Sequence, residues 1–205
     1  LRERLRGPLL DAKSEGWTEA STIWNGVYAH RPSAIARCLG AADVAAAVRF
    51  ARDEKIPLAV RSGGHDFAGH SLADGGLMVD LSLMKAIQVD PAGRRARAQP
   101  GVLWGELDHE TQAHGLATTG GTVSTVGVAG YTLGGGTGHL ARSRGLAVDN
   151  VTGFDVVTAD GELRRANEAE HPELFWALRG GGGNFGVVTS FEYRLGRVGP
   201  GVMAG

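Results

Sequence analysis

The sequence predicts an α+β domain, and three observations support that prediction. The chain has 205 residues, of which 42% are hydrophobic and 21% charged, so it is long and apolar enough to bury a core as one domain or two small subdomains. Segments typical of strands and of helices both occur, but they do not alternate strictly, which disfavours a doubly wound sheet. Glycine is abundant, at 33 residues, and falls mainly in three clusters between these segments, which indicates tight turns or close approach of the backbone to another group.

The first part of the chain predicts the start of a β-α-β unit. A helix is expected over 41–55, because apolar residues recur there at 3.6-residue spacing. A short strand over 58–60 follows Pro57 and runs into the first glycine cluster. Two further strands are expected over 77–81 and 86–89.

The second part predicts mainly strands. Arg and Ala alternate over 95–99, as in a half-exposed strand, and Asp160-Gly161 is a strong hairpin signal between strands over 154–159 and 162–166. A long strand is expected over 187–195. Helices are expected over 103–114 and 172–178. We expect these large side chains in the core: Trp24, Trp104, Phe175 and Trp176.

Composition excludes several classes of function. The 21 basic and 22 acidic residues leave a net charge of −1, which disfavours binding to nucleic acid. No run of about 18 apolar residues predicts a membrane span, and the charged N-terminus lacks a signal-peptide core, so we expect a cytoplasmic protein. The single cysteine, Cys38, excludes an intrachain disulfide and a cysteine-based zinc site and is expected to be buried.

The third glycine cluster, 181–186, matches the pattern G-x-G-x-x-G. A dinucleotide-binding βαβ unit requires a strand before this pattern and a helix after it. Here a helix precedes and a strand follows, so that interpretation is rejected. A Walker A loop is excluded as well, because none of the lysines (Lys13, Lys55 and Lys85) follows a glycine loop.

The first glycine cluster, Arg61-Ser62-Gly63-Gly64-His65, directly follows a predicted strand. Consecutive glycine N–H groups can form a concavity that binds an anion such as a pyrophosphate. From spacing alone, a tight turn with positive φ explains the cluster equally well. No metal site is predicted, because the histidine pairs 65/70 and 109/114 lack helical i,i+4 spacing and no carboxylate cluster accompanies them.

Four segments together resemble a known family. Residues 61–66 (RSGGHD) resemble the pyrophosphate loop of the vanillyl-alcohol-oxidase superfamily, and more narrowly of the berberine-bridge-enzyme-like flavoproteins. Residues 122–138 resemble the second flavin loop of that family. Residues 146–151 resemble the segment beside the cofactor, and 179–195 (RGGGGNFGVVTSFEYRL) the end of its PCMH-type FAD-binding domain.

The resemblance implies FAD, bound between two α/β subdomains that we place at 1–92 and 93–205. It also implies that His65 bonds covalently to the 8α-methyl group of the flavin. Many relatives add a second bond from a cysteine, but the matching residue here is Val123, so only the histidine link is expected. The implied cofactor-binding residues are Arg61, Ser62, Gly63, Gly64, His65, Asp66, His70, Ser71, Thr122, Val126, Gly127, Gly130, Tyr131, Gly135, Gly136, Val151, Gly186 and Val187.

The resemblance further implies an oxidoreductase that transfers a hydride from a substrate C–H bond to flavin. The small side chain of Val126 favours oxygen as the acceptor. Relatives continue into a substrate domain that carries the catalytic base, so we expect this chain to be an FAD-binding part, inactive alone and prone to self-association. Two alternatives stay open: a non-catalytic flavin- or nucleotide-binding module that acts through a partner, and a reductase of the cell-wall-precursor type, against which His65 argues.

Overall fold

The computed structural model describes residues 1–29 and 31–199, which form strands in three sheets together with six α-helices. The strands are β1 Leu9–Leu10, β2 Ala34–Arg37, β3 Leu58–Arg61, β4 Leu77–Asp80, β5 Ile87–Asp90, β6 Arg95–Ala98, β7 Leu116–Ala117, β8 Val151–Val157, β9 Leu163–Ala166, β10 Val187–Arg194 and β11 Gly196–Arg197. The helices are α1 Trp17–Ser21, α2 Ala41–Asp53, α3 Trp104–Gln112, α4 Val128–Leu133, α5 Ala141–Arg144 and α6 Pro172–Leu178. Short 3-10 turns lie at Arg2–Arg4, Val148–Asn150 and Gly182–Phe185.

The first sheet has the strand order β1-β2-β4-β3, with β2, β4 and β3 parallel and β1 antiparallel to β2. Helix α2 connects β2 to β3 and packs its apolar stripe on one face of the sheet, against Leu77 and Val79. The opposite face buries Ile35 and Met78 under the N-terminal segment. Both faces of the parallel strands are therefore covered, as such sheets require.

A buried carboxylate joins the carboxyl ends of the three parallel strands. Asp80 of β4 is fully buried, and it accepts hydrogen bonds from Arg37 Nε of β2 at 3.1 Å and Arg61 Nη1 of β3 at 3.4 Å. The two arginines stand directly beside Asp80 in the strand register. This arrangement fixes the end of β3, from which the first glycine loop leaves.

The second sheet is antiparallel, with the order β5-β6-β10-β8-β9. Its inner face buries aromatic side chains, including Phe154, Phe191 and Tyr193, against Trp104 of α3. Its outer face carries charged residues that form ion pairs across the strands: Arg97, Asp155, Arg165 and Glu192. Strands β7 and β11 form a separate two-stranded sheet.

The structure confirms the α+β class and most of the predicted elements. Helix α2 ends two residues before the predicted position because Lys55 adopts a φ of 56°, which a helix cannot contain. The first sheet ends at Asp80 and the second begins at Ile87. The proposed subdomain boundary after residue 92 thus lies between paired strands β5 and β6, and residues 200–205 of the second subdomain lie outside the described residues. The division into two subdomains stays a prediction.

Two of the four aromatic residues expected in the core are not there. Trp104 and Phe175 are buried, but Trp24 is 66% exposed and Trp176 is 78% exposed. Trp176 lies on the outer side of the short helix α6, and Trp24 lies in a loop. Cys38 is buried, as expected, and burial raises the pKa of its thiol to about 12. Within the described residues, no helix is long and apolar enough to cross a membrane.

Candidate functional site

The first glycine loop, residues 61–71, leaves the carboxyl end of β3 and is held by its own residues. The Asp66 carboxylate accepts hydrogen bonds from the backbone N–H of Ala68 at 3.1 Å and of Ser71 at 2.7 Å. The Ser62 hydroxyl donates to the carbonyl of Pro100. The Ser62 side chain is thus hydrogen-bonded to Pro100, and the Arg61 side chain is hydrogen-bonded to Asp80. Both side chains therefore position the loop.

The second glycine loop, residues 120–138, meets the first loop at its centre. Residues 123–126 form a turn closed by the Val126 N–H and the Val123 carbonyl at 3.1 Å, and helix α4 begins just after Gly127. The Val126 carbonyl in turn accepts the N–H of Trp104 at 3.0 Å, which ties this turn to the start of α3. A Cβ on Gly63 would lie 2.6 Å from the Gly127 nitrogen. The two loops can therefore meet only because both residues are glycine.

His65 lies where these loops converge, and two contacts hold its ring. Its Nε2 is 3.3 Å from the Thr125 hydroxyl of the second loop. The Trp24 indole stacks on the imidazole, with ring centroids 5.7 Å apart and an interplanar angle of 18°. The backbone N–H of Trp24 also donates to the Gly64 carbonyl at 2.8 Å, which fixes the tryptophan segment to the loop.

Helix α4 presents a glycine to open space beside this point. A Cβ on Gly130 would have no protein atom within 4 Å, whereas a Cβ on Gly136 would collide with the Tyr131 ring at 2.5 Å. Gly135, at a φ of 104°, follows the helix. The protein's own packing explains Gly136 but not Gly130, so the surface of α4 at Gly130 has room for a bound group.

Three of the predicted site residues carry a buried polar atom without a partner among the described residues: Arg61 Nε, Ser71 Oγ and Tyr131 Oη. Burial also raises the pKa of the Tyr131 hydroxyl. Buried polar atoms are normally hydrogen-bonded, so these atoms fit a site that receives phosphate or hydroxyl groups of a ligand. On this observation and on the space at Gly130, the residues present fit a flavin dinucleotide.

A groove of about 500 Å³ lies between the edge strand β3 and the start of β10. Leu58 and Val60 of the edge strand β3 form one wall, α2 lies at its base, and Gly186 and Val187 at the start of β10 lie opposite. Val60 directly precedes Arg61 in the chain, but no residue of the first loop, 61–71, lines the groove. It is mainly apolar, and its size suits a planar base with a sugar.

The remaining predicted residues are placed as follows. His70 and Thr122 are exposed on the two loops, and Val151 is the first residue of β8, buried in the core of the second sheet. The structure brings Gly63, His65 and Gly127 together but shows no contact of Val151 or His70 with them. The assignment of these residues to a cofactor stays a prediction.

Sequence reasoning missed Trp24 and Thr125 as neighbours of His65. Thr125 lies within the second loop, two residues after Val123, but no spacing rule indicated which of its side chains would reach the histidine. Trp24 lies outside every glycine cluster, and its position depends on the hydrogen bond to Gly64, which only the folded chain shows.

The chain is similar to flavoenzymes of known function. The (R)-6-hydroxynicotine oxidase of Paenarthrobacter nicotinovorans is 46% identical over 191 residues, which are 93% of this chain and 42% of that protein. The xylooligosaccharide oxidase of Thermothelomyces thermophilus is 39% identical over 190 residues, 91% of this chain and 38% of that protein. The structure of BBE-like 1 from Physcomitrella patens superposes with a TM-score of 0.90 at 30% identity, covering 94% of this chain and 43% of that one.

The chain thus spans about two fifths of the length of these relatives. The model of a protein family described as an FAD binding domain matches residues 32–167, which include both glycine loops. The resemblance read from the four sequence segments is confirmed, and the chain belongs to this family of FAD-binding domains, with FAD as its cofactor.

Proposed function

We propose that this chain is the FAD-binding part of an oxidoreductase that removes a hydride from a substrate C–H bond, with oxygen as the final acceptor. The observation that carries the proposal is the meeting of the two glycine loops at His65, beside the open surface of α4 at Gly130. When bound, FAD supplies the redox chemistry. The residues described here bind it, orient it and exclude water from part of it.

The first loop would hold the pyrophosphate. The backbone N–H groups of Gly63 and Gly64 are the donors of that concavity, and Arg61 Nε and Ser71 Oγ are the buried atoms left without a partner. Asp80 keeps Arg61 in place because its carboxylate accepts a hydrogen bond from Arg61 Nη1 at 3.4 Å. The Nε of Arg61 is then available to the ligand. A charge-assisted hydrogen bond from Arg61 would then stabilise the anion.

The adenosine end would lie in the groove between β3 and β10. Gly186 adopts a φ of 142° and leads the chain into β10 without a side chain at this point. The apolar side chains of Val60 and Val187, which line the groove, would contact the base. Such an apolar pocket with few polar groups is typical of cofactor sites.

His65 would form the single covalent bond to the flavin. Val123, at the position where some relatives have a cysteine, is 52% exposed in the turn beside His65 but cannot form a thioether. The link would hold the ring against α4, where Gly130 leaves space. It would also raise the reduction potential of the flavin.

We further propose that the substrate is bound mainly by parts of the protein beyond this chain, because relatives are more than twice as long. Exposed apolar side chains on the segments that meet at His65 would be covered there: Trp24, Phe67 and Val123. On this proposal the chain alone turns over no substrate and can self-associate through that surface. We also propose a cytoplasmic location for the protein.

An absorption spectrum after denaturation tests the flavin link. Flavin colour should remain with the unfolded polypeptide of the unaltered protein and be lost from His65→Ala, while His114→Ala, which removes an exposed histidine far along the chain, keeps it. Colour that remains with unfolded His65→Ala would show that another residue carries the link.

Steady-state turnover tests the division of labour. The 205-residue chain is assayed with a panel of alcohols and sugars under oxygen. The whole protein, in the form that its natural host produces, is assayed in parallel. We expect oxygen consumption and peroxide only from the latter. Robust turnover by the chain alone would place the catalytic base within it.

A further inference from the structure

We infer that Trp24 and Thr125 are positioning residues for His65: together they fix the plane of the imidazole and the nitrogen that it presents to the flavin. The inference rests on the proposed covalent link at His65. It gives Thr125 a role in the linking step and gives Trp24 a role besides that of a covered surface residue; Trp24 lies outside the residues 32–167 that match the family model.

The hydrogen bond between His65 and Thr125 determines which imidazole nitrogen is available to the flavin. Nε2 lies 3.3 Å from the Thr125 hydroxyl, and Nδ1 has no hydrogen-bond partner within residues 1–29 and 31–199. When Nε2–H donates to the Thr125 oxygen, the lone pair is on Nδ1. The contact engages Nε2 and leaves Nδ1 unengaged, and we infer that the Thr125 oxygen is the acceptor of this bond, which makes Nδ1 the nucleophile.

The stacking of Trp24 on His65 determines the plane of the imidazole ring. The Trp24 indole lies nearly parallel to the imidazole, at 18°, with centroids 5.7 Å apart, within the range of favourable aromatic pairs. The backbone N–H of Trp24 donates to the Gly64 carbonyl at 2.8 Å, which holds the Trp24 backbone beside the loop. The indole blocks one face of the ring, so His65 can turn about its side-chain bonds only by breaking both contacts.

The reaction that these residues assist balances as follows. Nδ1 of His65 forms a bond to the 8α carbon of the flavin while a C–H bond of that methyl group breaks. The methyl proton and the Nε2 proton leave, the latter from the hydrogen bond to Thr125. The two electrons pass to dioxygen, which takes up both protons and becomes hydrogen peroxide. Misplacing the nucleophile by about 1 Å can slow such a step roughly 100-fold.

The inference is tested with four variants of the whole protein, in the form that its natural host produces. Thr125→Val and Trp24→Leu should bind as much total flavin as the unaltered protein but link it about 10-fold more slowly. Thr125→Ser and Trp24→Phe, which keep the hydroxyl and the ring, should restore linking. Both positions are exposed in this chain and lie outside its core, so the variants should fold, and Trp176→Leu, which removes another exposed indole, is the control.

The readouts are total flavin by absorbance and linked flavin by fluorescence of the denatured polypeptide, followed over time. Ring ¹⁵N shifts of His65 in flavin-free protein provide a readout independent of flavin: we expect the proton on Nε2, and a mixture of tautomers in Thr125→Val. Equal linking rates in all variants, or a tautomer unaffected by Thr125→Val, would overturn the inference alone. Absence of linked flavin in the unaltered protein would overturn it together with the proposed link.

Discussion

The backbones of Gly63 and Gly127 pack directly against each other, so that a Cβ on either residue would lie less than 3 Å from backbone atoms of the other. Gly127 has a φ of −71°, which any residue can adopt. The requirement for glycine here is one of space and not of backbone conformation. The contact between Gly63 and Gly127 joins the loop that follows the first sheet to the start of α4.

Alanine at residue 127 should therefore destabilise the fold. Neither backbone can move without disturbing β3 or α4, so we expect Gly127→Ala to lower the free energy of unfolding by about 3 kcal/mol, as overpacking does. Urea denaturation of the flavin-free chain measures this. Gly130→Ala is the control: its Cβ meets no atom within 4 Å, and its stability should be equal or up to about 1 kcal/mol higher, because alanine favours a helix. Equal stability of both variants would contradict the proposed close contact.

A larger residue at 130 should affect flavin and not the fold. Gly130→Val adds a side chain to the open surface of α4, so flavin occupancy should fall while the melting temperature of the flavin-free chain changes little. Gly199→Val, also in open space, should retain full occupancy. The flavin-to-protein absorbance ratio gives the result, and normal occupancy in Gly130→Val would show that the flavin does not pass over this helix.

Removing the charge of Asp80 should be costly, because two arginines share it. Asp80→Asn leaves Arg37 and Arg61 facing each other with no compensating charge, and loss of a buried partner costs about 3–5 kcal/mol. Asp53→Asn breaks an exposed pair with Arg52 and should cost at most about 1 kcal/mol. Chemical denaturation of both variants compares the two. A small effect at residue 80 would mean that water reaches the pair.

Stability should decline at high pH through Cys38. Its pKa is raised from 9.0 to about 12 in the folded chain by burial, so the folded state holds a proton that the unfolded state loses above pH 9. The free energy of unfolding should then fall by about 1 kcal/mol from this group between pH 9 and pH 10, and by about 1.4 kcal/mol per pH unit beyond that. Denaturation at pH 8, 9 and 10 measures the slope, and Cys38→Ala should remove this contribution. An unchanged slope in Cys38→Ala would assign the alkaline effect to other groups.

A charge in the groove should distinguish FAD from FMN. Val60→Glu places a carboxylate where the adenosine is proposed to lie, so the Kd for FAD should rise about 10-fold or more while the Kd for FMN, which lacks adenosine, stays constant. Leu163→Glu, at an exposed residue of β9, should change neither. Fluorescence titration with both flavins is the measurement. Equal weakening for FAD and FMN would place the adenosine elsewhere.

Much of the fold could be predicted from local patterns. The helix α2, the strand β6 and the β8–β9 hairpin each carry a periodicity or turn signal within a few residues, and all three are present. Strand β2, in contrast, is only four residues long and has no alternating pattern, because both faces of its sheet are covered. Helix α4 is hidden in the sequence because its six residues include Gly130 and are flanked by Gly127 and Gly134, and glycine disfavours a helix.

The candidate site could be predicted only as a set of loops. The glycine clusters indicate close approach but not what approaches, and Gly63 against Gly127 is a contact between segments 64 residues apart in sequence. The exposed position of Trp24 beside His65 also depends on distant backbone bonds. A large aromatic residue is normally expected in the core, and that expectation was wrong here because the loop geometry placed the ring elsewhere.

The strand order has a consequence for how the chain acquires its structure during synthesis. Strand β4 lies between β2 and β3, and β10 lies between β6 and β8. In each sheet, the last of these three strands to leave the ribosome lies in the middle and pairs with the other two. The first sheet therefore cannot close before residue 80 has emerged, and the second waits for residue 194. A nascent chain that ends before β10 should thus leave the facing edges of β6 and β8 unpaired and open to association with other chains.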